Sequence, residues 1–475
     1  LPDIPPFHYA NLYLDLLFHN QNLPPGGRET PATGKGAQAK TRAWLAAADM
    51  GYGHMRAIYP LRDIARGEML ILGMNDGTTP LEEQLWKRMS GIYEKLSRAR
   101  RIPGIGKLLF QFIDAFQEIP SFYPIRNLSQ STFGVRLLGS LIKRGLCSGL
   151  LSTMRQEHLP LVTSFYAAAI AADLAGLEDV YCIICDADIN RVWVAKEPWE
   201  SKIIYFAPCG KAAQRLRAYG VPSERIQLTG FPLPHELLGG NDLSVLKTDL
   251  GQRLHHLDPN NRFWPLHRRD VEYFLGAENC AARNKRSLTL AYAVGGAGAQ
   301  MDIGKKIAFS LKRRLIAGEI NLNLVAGTKA VVRDYFEQVR EDLGREAGMR
   351  VTVVYAGTPW EYFERFTEML HSTDILWTKP SELSFYSALG IPMILSPAIG
   401  AQEYFNRQWL LEIQAGIRQE NPDYTDQWLF DALSNGRFAE AAWAGFLKAR
   451  KLGTYKILEI LREGKIALED SPLLR

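Results

Sequence analysis

Cysteine is scarce. Cys147, Cys182, Cys185, Cys209 and Cys280 are the five in 475 residues. A sparse, odd set excludes a disulfide scaffold and fits a reducing compartment. Runs of about 18 apolar residues, the length a membrane-spanning helix needs, are also lacking. No charged-then-apolar signal segment opens the chain. A trimmed N-terminus, with a targeting segment lost from it, is left open by the start at Leu1. No short-period repeat is visible. With 47% apolar and 23% charged residues the bulk of the chain has too much core-forming material to be disordered. Its length suggests two or three domains.

Acidic residues are short in one stretch. Across 87–144 basic residues outnumber acidic ones by eleven to three, although the whole chain carries only +5. Arg100, Arg101 and Lys107 there alternate with large apolar residues such as Phe110. Such a surface suits an anionic membrane. A pair of ordinary helices with a solvated basic face reads equally from the pattern. Nucleic acid is not expected as a partner, since no known nucleic-acid module is present.

What is present is alternation. Residues 1–40 read as a Pro- and Gly-rich arm and linker. From 41 to 235 short apolar strands alternate with helices, and helices are expected over 81–118 and 134–158. Residues 236–286 interrupt the pattern and read as an interdomain insert with one or two helices. Strand–helix alternation resumes over 287–436, and helices close the chain at about 437–475. The alternation predicts an α/β protein with two doubly wound parallel sheets.

Four motifs fall where chemistry is expected in such sheets. Gly51 and Gly53 lead to His54 in a strand-to-helix turn, where an imidazole can act as general base. Gly295, Gly296 and Gly298 form a second such turn, suited to a diphosphate; it is neither a Rossmann GxGxxG nor a Walker loop. Lys379, Ser381 and Glu382, then Gln402, Glu403 and Asn406, follow two adjacent predicted strands. Glu382 can accept from ribose hydroxyls and the latter three from sugar hydroxyls. Asp186 ends the YCIIC strand and can orient or deprotonate an acceptor hydroxyl. Asp188 gives it Asp-x-Asp spacing, but in the half away from the second glycine turn, so no metal site is expected. Cys182 and Cys185 form a CxxC pair inside a strand, where i and i+3 face opposite ways, so they read as packing. His255, His256 and His267 read as surface residues of the insert.

The order of these pieces resembles the GT-B glycosyltransferases, in particular the branch holding monogalactosyldiacylglycerol synthases and the lipid I N-acetylglucosaminyltransferase of peptidoglycan synthesis. Residues 51–57 (GYGHMRA), 181–233, AYAVGGAGAQ and 358–406 carry the likeness. The resemblance implies a GT-B-like fold whose C-terminal helix returns to the first domain. It implies metal-independent, inverting hexosyl transfer from a nucleotide-diphosphate sugar, UDP-linked, to a lipid or membrane-associated acceptor, with no further cofactor. It places His54 and Asp186 on the acceptor side, and Gly295, Gly296, Gly298, Gln402, Glu403 and Asn406 on the donor side. The implied location is cytoplasmic, peripheral on the inner face of the membrane. One departure is that Phe385 stands where the family has its ribose-binding Glu, with Glu382 three residues earlier. Three alternatives stay open: a nucleotide-sugar 2-epimerase, a GT-B enzyme with a soluble acceptor, and a non-catalytic relative.

Overall fold

The computed structural model describes residues 42–74, 78–87, 118–281, 286–295, 298, 300–398 and 400–464. The basic–apolar positions Arg100, Arg101, Lys107 and Phe110 lie outside them, as do the 1–40 arm and Gly296.

The first half is a six-stranded parallel sheet in the order β2-β1-β3-β4-β5-β6. Its strands are β1 (Trp44–Ala48), β2 (Leu70–Leu72), β3 (Leu161–Thr163), β4 (Val180–Ile183), β5 (Ile204–Phe206) and β6 (Ile226–Gln227). The second half repeats the design in the order β12-β11-β10-β7-β8-β9. It comprises β7 (Leu288–Ala293), β8 (Ile320–Gly327), β9 (Val351–Tyr355), β10 (Ile375–Thr378), β11 (Met393–Leu395) and β12 (Gly416–Arg418). Central strands such as WLAAA and LTLAYA are buried at every position. That is why they read as continuous apolar runs and not as alternation. The protein is thus an α/β, GT-B-like pair of doubly wound sheets, as the sequence implied.

In each sheet the strand order reverses once, between β1 and β3 and between β7 and β10. Ligands of open α/β sheets bind outside the carboxyl ends of strands at such reversals. Helices pack over both sheets by one apolar face. In α6 (Pro359–Ser372), Thr358 caps the N-terminus by accepting from the Glu361 N–H, and proline occupies the first turn. Its Tyr362, Phe363, Phe366 and Leu370 face inward.

The edge strands β2 and β12 were not expected from the sequence. Each is three residues long and holds half-buried positions, too short to show a pattern. The helix expected over 134–158 is two helices, α2 (Phe133–Lys143) and a shorter one, Ser148–Met154. Gly145 (φ 108°) and Cys147 (φ 68°) adopt left-handed backbone between them, which no α-helix passes through. Within 81–118, residues through 87 are helical, 88–117 are outside the described residues and 118 is non-helical. SFYSALG is not α-helical but part of a tighter 3-10 segment, Glu382–Leu389, closed by Gly390 at φ 63°.

The insert supplies α3 (Ser244–Leu257) and α4 (Trp264–Leu275). Buried Arg253 of α3 donates to the carbonyls of Thr373, Leu389 and Leu370, tying the insert to the second sheet. Helix α8 (Arg437–Lys448) packs at the 3-10 segment, with Gly445 against the Ser387 carbonyl. The last helix, α9 (Gly453–Glu463), reaches the first half, where Thr454 Oγ1 donates to the Leu233 carbonyl at 2.5 Å.

Asp188 is wholly buried in a bidentate pair with Arg215, at 2.7 and 2.9 Å. The guanidinium also lies 3.8 Å from the Phe122 ring centre. Losing one partner strands the other charge in apolar surroundings. Asp188→Ala is therefore expected to lower the unfolding free energy by about 3–5 kcal/mol, read by urea denaturation. A loss below about 1 kcal/mol, the size of an exposed pair, contradicts this.

Candidate functional site

The carboxyl ends of the two sheets meet. Helix α1 (Tyr52–Ile58) starts four residues after β1, with Gly51 at φ 99° before it. His54 on α1 donates from Nδ1 to the Ser164 carbonyl at 2.6 Å, just past β3. A carbonyl only accepts, so Nδ1 carries the proton and Nε2 keeps a lone pair. The bond spans the strand-order reversal of the first sheet. Burial pushes the imidazole below its ordinary pKa, opposed by the Ser164 bond and the nearby Glu382 charge. His54 is thus neutral near pH 7, in the state a general base needs. Its ring packs edge-on against Phe165.

Asp186 lies three residues beyond β4. Asn406 of α7 (Ala401–Glu412) reaches it from the second half, Nδ2 donating to Asp186 Oδ1 at 2.8 Å. Burial raises the Asp186 carboxyl to about 6; the Asn406 bond lowers it, Glu382 and Glu403 raise it and Lys379 lowers it. Cys185 has its Sγ 3.8 Å from His54 Nδ1 and its thiol pushed well up, first by burial and then by Asp186. Cys182 is buried too, and both thiols are free.

On the second sheet the reversal between β7 and β10 carries Gly295 and Lys379. The Lys379 stem lies across Gly295, so that a Cβ there would overlap it, with Nζ 3.2 Å from that position. Nζ pairs with Glu403 at 2.6 Å. Gly298 turns back at φ 70°, its N–H donating to the Gly295 carbonyl at 2.8 Å. Gln300, also left-handed, leads into α5 (Met301–Ser310). A turn closed by that bond, a cation and the start of a helix are suited to a diphosphate. Gln402 lies half-buried on the first turn of α7. Ser381 precedes the 3-10 segment and its side chain makes no cap bond.

Glu382 is engaged by the first half. It accepts from Arg56 Nε at 3.1 Å, with Arg56 2% and Glu382 8% exposed. A Cβ at Gly53 would stand 3.2 Å from Glu382 Oε2, so a side chain there would crowd the carboxylate. The Arg56 guanidinium lies 4.7 and 4.6 Å from the Phe363 and Phe366 ring centres. Phe385 is buried and stacks on Phe231 of the first half at 5.1 Å. Tyr52 makes another crossing: its hydroxyl accepts from the Thr328 N–H at 2.8 Å and lies 2.9 Å from Thr328 Oγ1. Gly327, at φ 67°, leaves room for it.

The structure therefore brings His54, Asp186, Glu382, Lys379, Glu403 and Asn406 into one electrostatic neighbourhood. Asp188 is held by Arg215, away from any ligand role. The three insert histidines are apart from it and from each other's partners: His255 bonds the Cys280 carbonyl, His256 pairs with Asp374 and His267 with Glu440. Sequence reasoning missed Arg56, Tyr52 and Thr328. The available signal was Arg56 itself, a lone charge inside the apolar run Met55–Leu61.

No protein-family model matches the chain. No curated protein matches it in sequence. Among solved structures, S. aureus MnaA with UDP is similar at 11% identity and TM-score 0.46, over 89% of this chain and 96% of that one. UDP-GlcNAc 2-epimerase from Neisseria meningitidis, bound to UDP-GlcNAc, matches at 12% and TM-score 0.44, over 89% and 98%. Acinetobacter baumannii MurG matches at 13% and TM-score 0.42, over 89% and 99%. At these values the matches carry no argument about activity; the two-sheet design is read from the strand order itself.

The Asp186 carboxyl supplies a pH test. Its folded pKa of about 6 exceeds the ordinary 3.8. The folded state thus holds the proton more tightly, and its stability falls as pH rises from about 4 to about 6. Asp186→Asn is expected to raise Tm at pH 8 relative to its effect at pH 4. An equal effect at both values contradicts a raised pKa.

Proposed function

We propose that this protein is a GT-B-type glycosyltransferase that moves a hexosyl group from a nucleotide-diphosphate sugar, UDP-linked, to a hydroxyl of a lipid acceptor at a membrane surface. The observation that carries the reading is the meeting of two reversal points. Proton-handling groups gather at one (His54, Asp186) and an anion-suited turn with Lys379 at the other.

The acceptor hydroxyl gives its proton to His54 Nε2 or to ionised Asp186. The freed oxygen attacks the anomeric carbon from the face opposite the diphosphate. The bond to the diphosphate breaks and the electron pair leaves with it, inverting the centre. The growing charge falls near the Lys379 ammonium, Gly298 and the start of α5. Fixed charges and dipoles there need no reorganisation as the bond breaks. The family resemblance supports UDP as the nucleotide.

A specific observation favours a second reading, a nucleotide-binding protein without turnover. Glu382 and Asn406, both expected beside the donor, are bonded across the two halves. One panel separates the two. UDP is expected to raise Tm by several degrees over GDP, ADP, CMP and dTDP, because a ligand of the native state stabilises it. His54→Ala and Asp186→Ala are expected to keep that shift and to lower kcat about 10²–10⁴-fold. A UDP shift with no transfer to any lipid hydroxyl selects the second reading. No shift with any nucleotide overturns both.

Exposed side chains that follow the basic–apolar stretch support the membrane surface. Tyr123, Ile125 and Phe133 are 71%, 88% and 52% exposed, and Arg126, Arg136, Lys143 and Arg144 are exposed beside them in sequence. No helix among the described residues is long and apolar enough to cross a membrane. The chain is expected to sediment with phosphatidylglycerol vesicles, less so in high salt and less so as Ile125→Ser/Phe133→Ser. Equal recovery on phosphatidylcholine vesicles contradicts an electrostatic membrane face.

A further inference from the structure

The Asn406 side chain is wholly buried, and both ends of its carboxamide are used on the opposite half. Its oxygen accepts from the Ala187 N–H at 2.7 Å and its nitrogen donates to Asp186 Oδ1 at 2.8 Å. The two partners are adjacent in sequence and of opposite kind. A flipped amide would set N–H against N–H and oxygen against carboxylate, so the orientation is unique. With no exposed surface, the group offers nothing for a sugar hydroxyl to reach. We infer that Asn406 is a positioning residue that fixes the Asp186 carboxylate from the second sheet, and not a contact for the donor sugar. The inference builds on the proposed role of Asp186 as a proton acceptor.

The consequence is chemical as well as spatial. The Nδ2–H bond favours the ionised carboxylate, the form that can accept a proton. The other groups facing Asp186 are Glu382 from the 3-10 segment, Glu403 from α7, Lys379 beyond β10 and Cys185 on its own segment. His54 of α1 lies beyond Cys185. Two carboxylates oppose ionisation, and Lys379 is itself paired with Glu403. Without Asn406, burial and both carboxylates push the Asp186 carboxyl further up. With the two halves together, the Asn406 bond offsets part of that push and keeps more of the carboxyl ionised near neutral pH.

The test reads the coupling directly. In protein labelled at aspartate 13Cγ, the Asp186 signal is assigned by its loss in Asp186→Asn. In the wild-type chain the Asn406 side-chain amide resonances are expected to shift with the midpoint of Asp186, about 6. In Asn406→Ala the Asp186 midpoint is expected to rise by at least about one pH unit. In the isosteric Asn406→Asp it is expected to rise further, as two carboxyls share one proton. For transfer, the alkaline-going limb of the kcat profile moves up in Asn406→Ala while donor KM stays within about twofold. Asn406 amide signals that stay flat while Asp186 titrates overturn the inference, and this readout on wild-type protein needs only the conservative Asp186→Asn to fold, for the assignment. A raised donor KM with an unmoved limb also overturns it, in favour of a sugar contact. Absence of transfer altogether sinks the proposed function and leaves the titration coupling to be judged by itself.

Discussion

The Arg56–Glu382 pair is the constraint on which the rest depends. Two charges with almost no exposed surface, one from each half, meet in a shell of Tyr362, Phe363, Phe366 and Tyr386. A buried ion pair is weak evidence for stability, because the cost of removing two charges from water offsets their attraction. It is demanding about geometry, because either charge alone in that shell is strongly unfavourable. The halves therefore settle where Nε and Oε1 meet. That position also brings Tyr52 to Thr328 and Asn406 to Asp186. Glycine at 53 belongs to the same arrangement, since a side chain would push the carboxylate away.

The two faces thus brought together are chemically unlike. The first holds groups whose protonation is poised by burial, a neutral imidazole and a carboxyl shifted towards neutrality. The second holds a cation over a glycine turn at the start of a helix. Under the proposed function, one handles protons and the other handles charge on phosphate. That division suits a displacement in which a hydroxyl proton is lost on one side and a diphosphate departs on the other.

Much of the fold was legible. Central parallel strands such as LTLAYA and the helices between them announce themselves by composition, and the two glycine turns follow β1 and β7 as read. The edge strands β2 and β12 were not legible, since three residues, two of them half-buried, carry no period. The site was legible as a set of residues but not as a set of bonds. His54, Asp186 and Lys379 were singled out because strand ends in such sheets collect chemistry. That Glu382 meets Arg56, 326 positions away, or that Asn406 meets Asp186, 220 positions away, depends on how the two sheets come together. Local sequence does not encode that docking, and a ribose or sugar role was the natural reading of each side chain taken alone.

The return of α9 to the first half has a mechanical consequence. The chain passes between halves once after β6 and again before α9, and the two passes touch: Gly230 lies under Arg450 and Gly453 against the Phe231 carbonyl. Two covalent straps side by side act as one seam. Sliding of one half past the other would shear both straps at once, whereas swinging about the seam bends each only slightly. Whatever separates Arg56 from Glu382 must therefore do so by leverage about that line, and the groups farthest from the seam travel the greatest distance.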